Sequence, residues 1–84
     1  MTNPTRILLI DDDAVDRAAV RRALRKSGLK HTLTEASGGE EGQRLAAEMA
    51  FDCVLLDYRL PGIDTFALLK TLLAAEGDAR AVLM

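Results

Sequence analysis

The chain has 84 residues, of which 49% are apolar and 29% charged, the balance of a water-exposed globular chain at the small end of the single-domain range. A chain of this size buries roughly 60–65% of its unfolded surface, so each strand and helix carries a large share of the stability. Eleven basic residues against thirteen acidic ones give a net charge of −2, which offers no electrostatic case for contact with nucleic acid or an anionic membrane.

Met1 to Arg6 holds one charge and no long apolar region, so it does not read as a signal peptide. Arg6 to Ile10 then forms a short run rich in branched apolar side chains that stops at Asp11-Asp12-Asp13, the pattern of a buried strand ending at a polar edge. Runs of this length are far short of the ~20 apolar residues that span a bilayer. The expected location is therefore cytoplasmic, without membrane association.

From Ala14 to Ser27 the period becomes helical. Val20, Ala23, Leu24 and Ser27 form one stripe, and Arg17, Arg21, Arg22, Arg25 and Lys26 occupy the other faces. Gly28 is placed to end this helix in a left-handed conformation. His31 to Ala36 alternates as a strand with two unlike faces, expected at a sheet edge. His31 itself is expected at the surface. Ser37-Gly38-Gly39 breaks the chain before a second helix carrying Gly42, Leu45, Ala46 and Met49 on one face, with Glu40 and Glu41 in its first turn, where acids favour the helix dipole.

Cys53-Val54-Leu55-Leu56, between Asp52 and Asp57, is an unbroken apolar run suited to a central parallel strand. A lone cysteine inside it forms no intrachain disulfide and reads as a small buried hydrophobe. Leu60-Pro61-Gly62 makes a turn, and Asp64 caps a third helix with Phe66, Leu69, Leu72 and Leu73 facing the sheet. Ala81 to Met84 begins a fourth strand. The order β-α-β-α-β-α-β implies a doubly wound parallel sheet with helices on both faces.

In such a sheet, ligands gather at the carboxyl ends of the strands, where both Asp11-Asp12-Asp13 and Asp57 fall. Two carboxylates ~4 Å apart repel by ~4 kcal/mol at an effective dielectric of ~20, so a cation is expected among them. Magnesium, which takes one or two carboxylates, keeps several waters and bridges to phosphate, fits this donor set. A helix cap accounts for one acid of the three, Asp13. Asp57, on a loop just past a buried strand, is a position for a carboxylate nucleophile toward phosphorus.

Ile7-Leu8-Leu9-Ile10-Asp11-Asp12-Asp13 with Arg17, Glu35-Ala36 before Gly38, and Val54-Leu55-Leu56-Asp57-Tyr58-Arg59-Leu60-Pro61-Gly62-Ile63-Asp64 together resemble the receiver domain of bacterial response regulators, from about Arg6 to Met84. The resemblance implies a flavodoxin-like fold with strand order 2-1-3-4. It implies that Asp57 accepts a phosphoryl group from a sensor histidine kinase or phosphotransfer protein and switches a downstream output. Asp12 would bind Mg²⁺ directly, Asp11 would hold the metal's water shell, and Arg59 would offer its backbone carbonyl. Catalysis would be limited to the domain's own phosphorylation. The basic face of the first helix is where such domains meet their kinase.

Thr65 departs from the glycine usual after the second acid of the Asp57-to-Asp64 signature. Receivers also carry a Ser or Thr after the fourth strand and a Lys after the fifth. Against that template, residues 1–84 correspond to the N-terminal two thirds of a receiver, and phosphate acceptance by these residues alone is expected to be poor. A fourth strand left at an edge invites pairing with a second copy. Two other readings stand beside this one. Asp11-Asp12-Asp13-Ala14-Val15 also fits the Asp-x-Asp-x-Val pattern of haloacid-dehalogenase-like phosphohydrolases, with Asp11 as nucleophile and Asp13 as general acid. The third reading is a receiver-like scaffold used for association only.

Overall fold

The computed structural model describes residues 3–57 and 80–83. The expected turn at Leu60-Pro61-Gly62, the third helix from Asp64, the Arg59 carbonyl and the side chains of Val82, Leu83 and Met84 lie outside the described residues.

The elements are β1 (Thr5–Ile10), α1 (Ala14–Lys26), β2 (His31–Ala36), α2 (Gly39–Glu48), β3 (Cys53–Leu56) and β4 (Arg80–Leu83). The strands form one sheet in the order β2-β1-β3-β4, with every pairing parallel. This is the order that the receiver resemblance implied, and β2 lies at an edge as its alternation indicated.

β1 sits between β2 and β3, a position that buries it on both faces. Leu8, Leu9 and Ile10 are fully buried and Ile7 nearly so. Its two faces are covered separately. Leu8 and Ile10 join Ala36, Ala46, Phe51, Val54 and Leu56 in a core on the α2 side. Glu35, which is in register with Leu9, faces the opposite side and meets the guanidinium groups of α1. The two helices thus lie on opposite faces of the sheet.

α1 begins where Asp13 caps it, its carboxylate accepting from the Val15 N–H at 2.8 Å. It ends at Ser27, followed by Gly28 with φ of 78°, the left-handed residue placed there by the sequence. The sheet-facing stripe differs from the expected one. Val20 and Leu24 are half-buried, but Ala23 and Ser27 are exposed, and Arg17 and Ala18 take the inner positions. The reason is chemical: Arg17 finds a carbonyl and a carboxylate on the sheet side, and Arg21 takes both oxygens of Glu35, each at 2.9 Å.

α2 packs closely. Gly42 is buried against β1, and a Cβ at that position would lie 2.8 Å from Ile10 Cγ1, which gives the glycine a packing role. Met49 leaves the expected apolar face and is 47% exposed, because the helix stops at Glu48 and the backbone at Met49 is already extended. Cys53 is half-buried, being the first residue of β3 at the amino edge of the sheet, while Val54 and Leu56 are buried. His31 is half-buried at the start of β2, its Nδ1 2.7 Å from the Leu29 carbonyl oxygen.

Two outcomes follow from this packing. Gly42→Val should destabilise the protein by about 2–3 kcal/mol in urea denaturation, through overpacking against Ile10. Gly42→Ala should lose about 1 kcal/mol, because the gain in helix propensity offsets part of the clash. The ion pairs of Glu35 set a pH dependence. Hydrogen bonding from Arg21 holds the Glu35 carboxyl below the ordinary glutamate range. Its stabilisation is therefore complete above the ordinary glutamate pKa and is lost as pH falls through the lowered one. Wild type should exceed Glu35→Gln in stability by up to about 1 kcal/mol at neutral pH, and the difference should vanish at low pH.

Candidate functional site

The site follows from strand register. Ile10 of β1 pairs with Leu56 of β3, so the next residue on each strand, Asp11 and Asp57, emerges at the same carboxyl edge. The backbone continues this alignment one step past the strands: the Asp57 N–H donates to the Ile10 carbonyl at 3.0 Å, and the Asp11 N–H donates to the Ala36 carbonyl at 3.1 Å. The acids are thus anchored by the sheet ladder while their side chains lie beyond it.

One carboxylate oxygen from each of Asp11, Asp12 and Asp57 falls within a cluster whose members lie within 4.8 Å of one another. Their environments differ. Asp11 is 3% exposed, Asp57 is half-buried and Asp12 is exposed. Burial pushes the Asp11 carboxyl above the ordinary aspartate range. The negative charges of Asp57 and Asp16 and a hydrogen-bond contact with the Asp57 carboxyl push it the same way. One interaction opposes them: the Asp13 N–H donates to Asp11 Oδ1 at 2.9 Å. A buried carboxyl raised mainly by desolvation and further by neighbouring acids is the electrostatic condition that a bound cation relieves. The all-oxygen donor set, with one exposed member open to water, suits a hard divalent ion such as Mg²⁺.

Asp13 stands apart from this cluster. Its side chain is committed to capping α1, and its carbonyl accepts from the Arg17 N–H at 3.0 Å. A general-acid role beside Asp11, as the phosphohydrolase reading requires, would call for release of that cap.

The sequence marked Arg17 as part of the receiver-like pattern and of the basic helix face, but not its contact with the acid loop. Its NH1 donates to the Asp11 backbone carbonyl at 2.7 Å, and its Nε lies 3.5 Å from Glu35 Oε1. The position six residues after Asp11 is one helical turn past the cap, so a long basic side chain there can reach back over the loop. That spacing was the available signal. Of the basic face expected along α1, Arg17 is half-buried and Arg21, though exposed, pairs with Glu35; Arg22, Arg25 and Lys26 are also exposed.

Comparison with known proteins places this geometry. Residues 7–84 match the family model described as the response regulator receiver domain. Transcriptional regulatory protein AfsQ1 of Streptomyces coelicolor is 41% identical over 63 residues, 75% of this chain and 27% of that protein. A protein-glutamate methylesterase/protein-glutamine glutaminase of Maricaulis maris is 35% identical over 78 residues, 93% of this chain and 20% of that protein. The receiver domain of the hybrid histidine kinase CckA superposes with a TM-score of 0.81 at 35% identity, covering 93% of this chain and 72% of that one. The chain spans less than a third of the length of these two curated relatives.

Asp11→Asn keeps the oxygen that accepts from Asp13 and removes a charge that burial and its neighbours oppose. In metal-free protein at neutral pH it should therefore raise the melting temperature. The gain should shrink as pH falls through the raised Asp11 pKa, where wild type also becomes neutral at that position. Differential scanning calorimetry across pH with chelator present reads both effects.

Proposed function

Since the chain belongs to the response regulator receiver domain family across residues 7–84, we propose that it is the phosphoacceptor module of a two-component relay, with Asp57 as the acceptor. The observation that carries this reading is the convergence of the Asp11, Asp12 and Asp57 carboxylates at the carboxyl edge of the sheet. An Oδ of Asp57 attacks the phosphorus of a phosphohistidine presented by a sensor histidine kinase or phosphotransfer protein. As the P–O bond forms, the P–N bond breaks and its electron pair returns to the departing imidazole. The products are an aspartyl phosphate and a neutral histidine once a proton is taken up.

Asp12 and Asp57 would hold Mg²⁺ directly, with Asp11 orienting its water and the Arg59 carbonyl completing the set. When bound, the ion neutralises charge on the phosphoryl oxygens. The protein's own contribution is positional. The sheet fixes the Asp57 backbone through Ile10, and the buried Asp11 keeps one wall of the site unfavourable to anything but a cation or a proton. Residues 1–84 act in this reading as receiver sequence, and any enzymatic or DNA-binding output belongs to other segments. Among the described residues, no helix is long and apolar enough to cross a membrane. The exposed Arg22, Arg25 and Lys26 supply a cationic surface for the kinase.

Mg²⁺ binding and phosphoryl uptake test this together. Mg²⁺ at ten times its dissociation constant should stabilise the wild-type protein by about 1.4 kcal/mol. Asp12→Asn and Asp57→Asn should each weaken the affinity by roughly tenfold or more in calorimetric titration. Asp57→Asn should also abolish the labelling from acetyl phosphate, slow as it is expected to be for residues 1–84, as read by intact mass after long incubation. Label retained in Asp57→Asn, together with Asp11-dependent release of inorganic phosphate, would favour the phosphohydrolase instead. Mg²⁺ affinity unchanged in Asp12→Asn would remove the metal assignment.

A further inference from the structure

We infer that Arg17 is a positioning residue for the acid cluster, its guanidinium fixing the backbone of the loop that carries Asp11 and Asp12 and thereby setting the cluster's cation affinity. The inference rests on the reading of Asp11, Asp12 and Asp57 as a Mg²⁺ site. It concerns a contact that the strand ends alone do not supply.

The loop between β1 and α1 is only three residues, Asp11 to Asp13, and each carries a negative charge. Mutual repulsion favours its outward displacement, away from Asp57. Several contacts resist that movement. The Asp11 N–H is held by Ala36, the Asp13 N–H by Asp11 Oδ1, and the Asp13 carboxylate and carbonyl by α1. The Asp11 carbonyl lies in the middle of this segment, past the last strand residue and before the first helical one. Arg17 NH1 donates to it at 2.7 Å, the short distance of a charge-assisted hydrogen bond.

The guanidinium is in turn oriented by Glu35, 3.5 Å from its Nε, and Glu35 is held by both donors of Arg21. A fork with donors in two directions can hold a carbonyl and meet a carboxylate at once, whereas a lysine ammonium offers one point of charge. The arrangement ties the acid-bearing loop to β2, which carries no described member of the cluster. The Arg17 side chain is 20% exposed.

Arg17→Gln and Arg21→Gln separate this role from simple fastening of α1, since both lose a contact with Glu35 and only the first loses the Asp11 carbonyl. Three readouts apply to each variant: urea stability, exchange of the Asp13 amide in metal-free protein measured by NMR relative to the Leu8 amide, and Mg²⁺ affinity by calorimetry. In Arg17→Gln, Asp13 exchange should accelerate about tenfold and Mg²⁺ affinity should fall about fivefold, the scale of one charge-assisted hydrogen bond at a partly exposed position. Arg21→Gln should lose comparable stability with Asp13 exchange and Mg²⁺ affinity both within about twofold of wild type. Arg17→Lys should recover part of both readouts, and it carries the test if Arg17→Gln does not fold.

The proposal is overturned if Arg17→Gln leaves Asp13 exchange at the wild-type rate, or if the two Gln variants match in all three readouts. Should wild-type protein bind no Mg²⁺, the metal assignment fails separately. The metal-free exchange rates then decide whether Arg17 holds the loop.

Discussion

The parallel register of β1 against β3 is the constraint on which the site depends. With Ile10 opposite Leu56, the residues that follow them leave the sheet side by side, and Asp11 and Asp57 meet without any loop having to search for the geometry. A slip of one residue would displace one acid by about 3.3 Å along the strand and turn its side chain to the other face. The register is held by burial: Leu8, Ile10, Val54 and Leu56 share one core, so a slip would carry apolar side chains toward solvent at the same time as it dispersed the acids. Packing and chemistry are thus specified by the same four residues.

This arrangement has an electrostatic consequence. A cluster of carboxylates with one member buried is unfavourable by itself, and two local donors bear on Asp11. The Asp13 amide serves the Asp11 carboxylate, and the Arg17 guanidinium serves the Asp11 carbonyl without neutralising the carboxylates. The loop thus has a donor at both its buried carboxylate and its first carbonyl. An all-oxygen donor set of this kind suits a hard cation.

Much of this was legible in the sequence. Strand ends, the Asp13 cap and the Gly28 stop follow from local rules, because each depends on residues within a turn of one another. The parallel pairing follows from connection rules, the strand order 2-1-3-4 from the resemblance to receivers, and the acid cluster from the strand ends. What stayed hidden depends on side-chain reach. Arg17 read as one cation among several on a solvated helix face, and its inward turn requires knowing that Glu35 of β2 and the Asp11 carbonyl lie beneath it. Met49 fitted the apolar spacing of α2 but falls just past the end of the helix, where backbone direction overrides periodicity. The pairing of Arg6 with Asp52 was equally invisible, because 46 residues separate them and nothing local marks either as a partner.

That last pair clarifies why the two ends of the sheet differ. Asp52 and Asp57 flank the same four-residue strand, β3. At the amino edge, Asp52 accepts from the Arg6 backbone N–H at 2.9 Å and from its guanidinium at 3.2 and 3.0 Å, and these contacts hold its carboxyl below the ordinary aspartate range. At the carboxyl edge, Asp57 stands among acids, and the neighbouring Asp11 is raised instead. The same residue type thus meets an arginine at one end and two other aspartates at the other. The paired end behaves as a fastener between β1 and β3. The clustered end is the place where a cation or an electrophile lowers the free energy, so the polarity of the parallel sheet is also a polarity of chemical function.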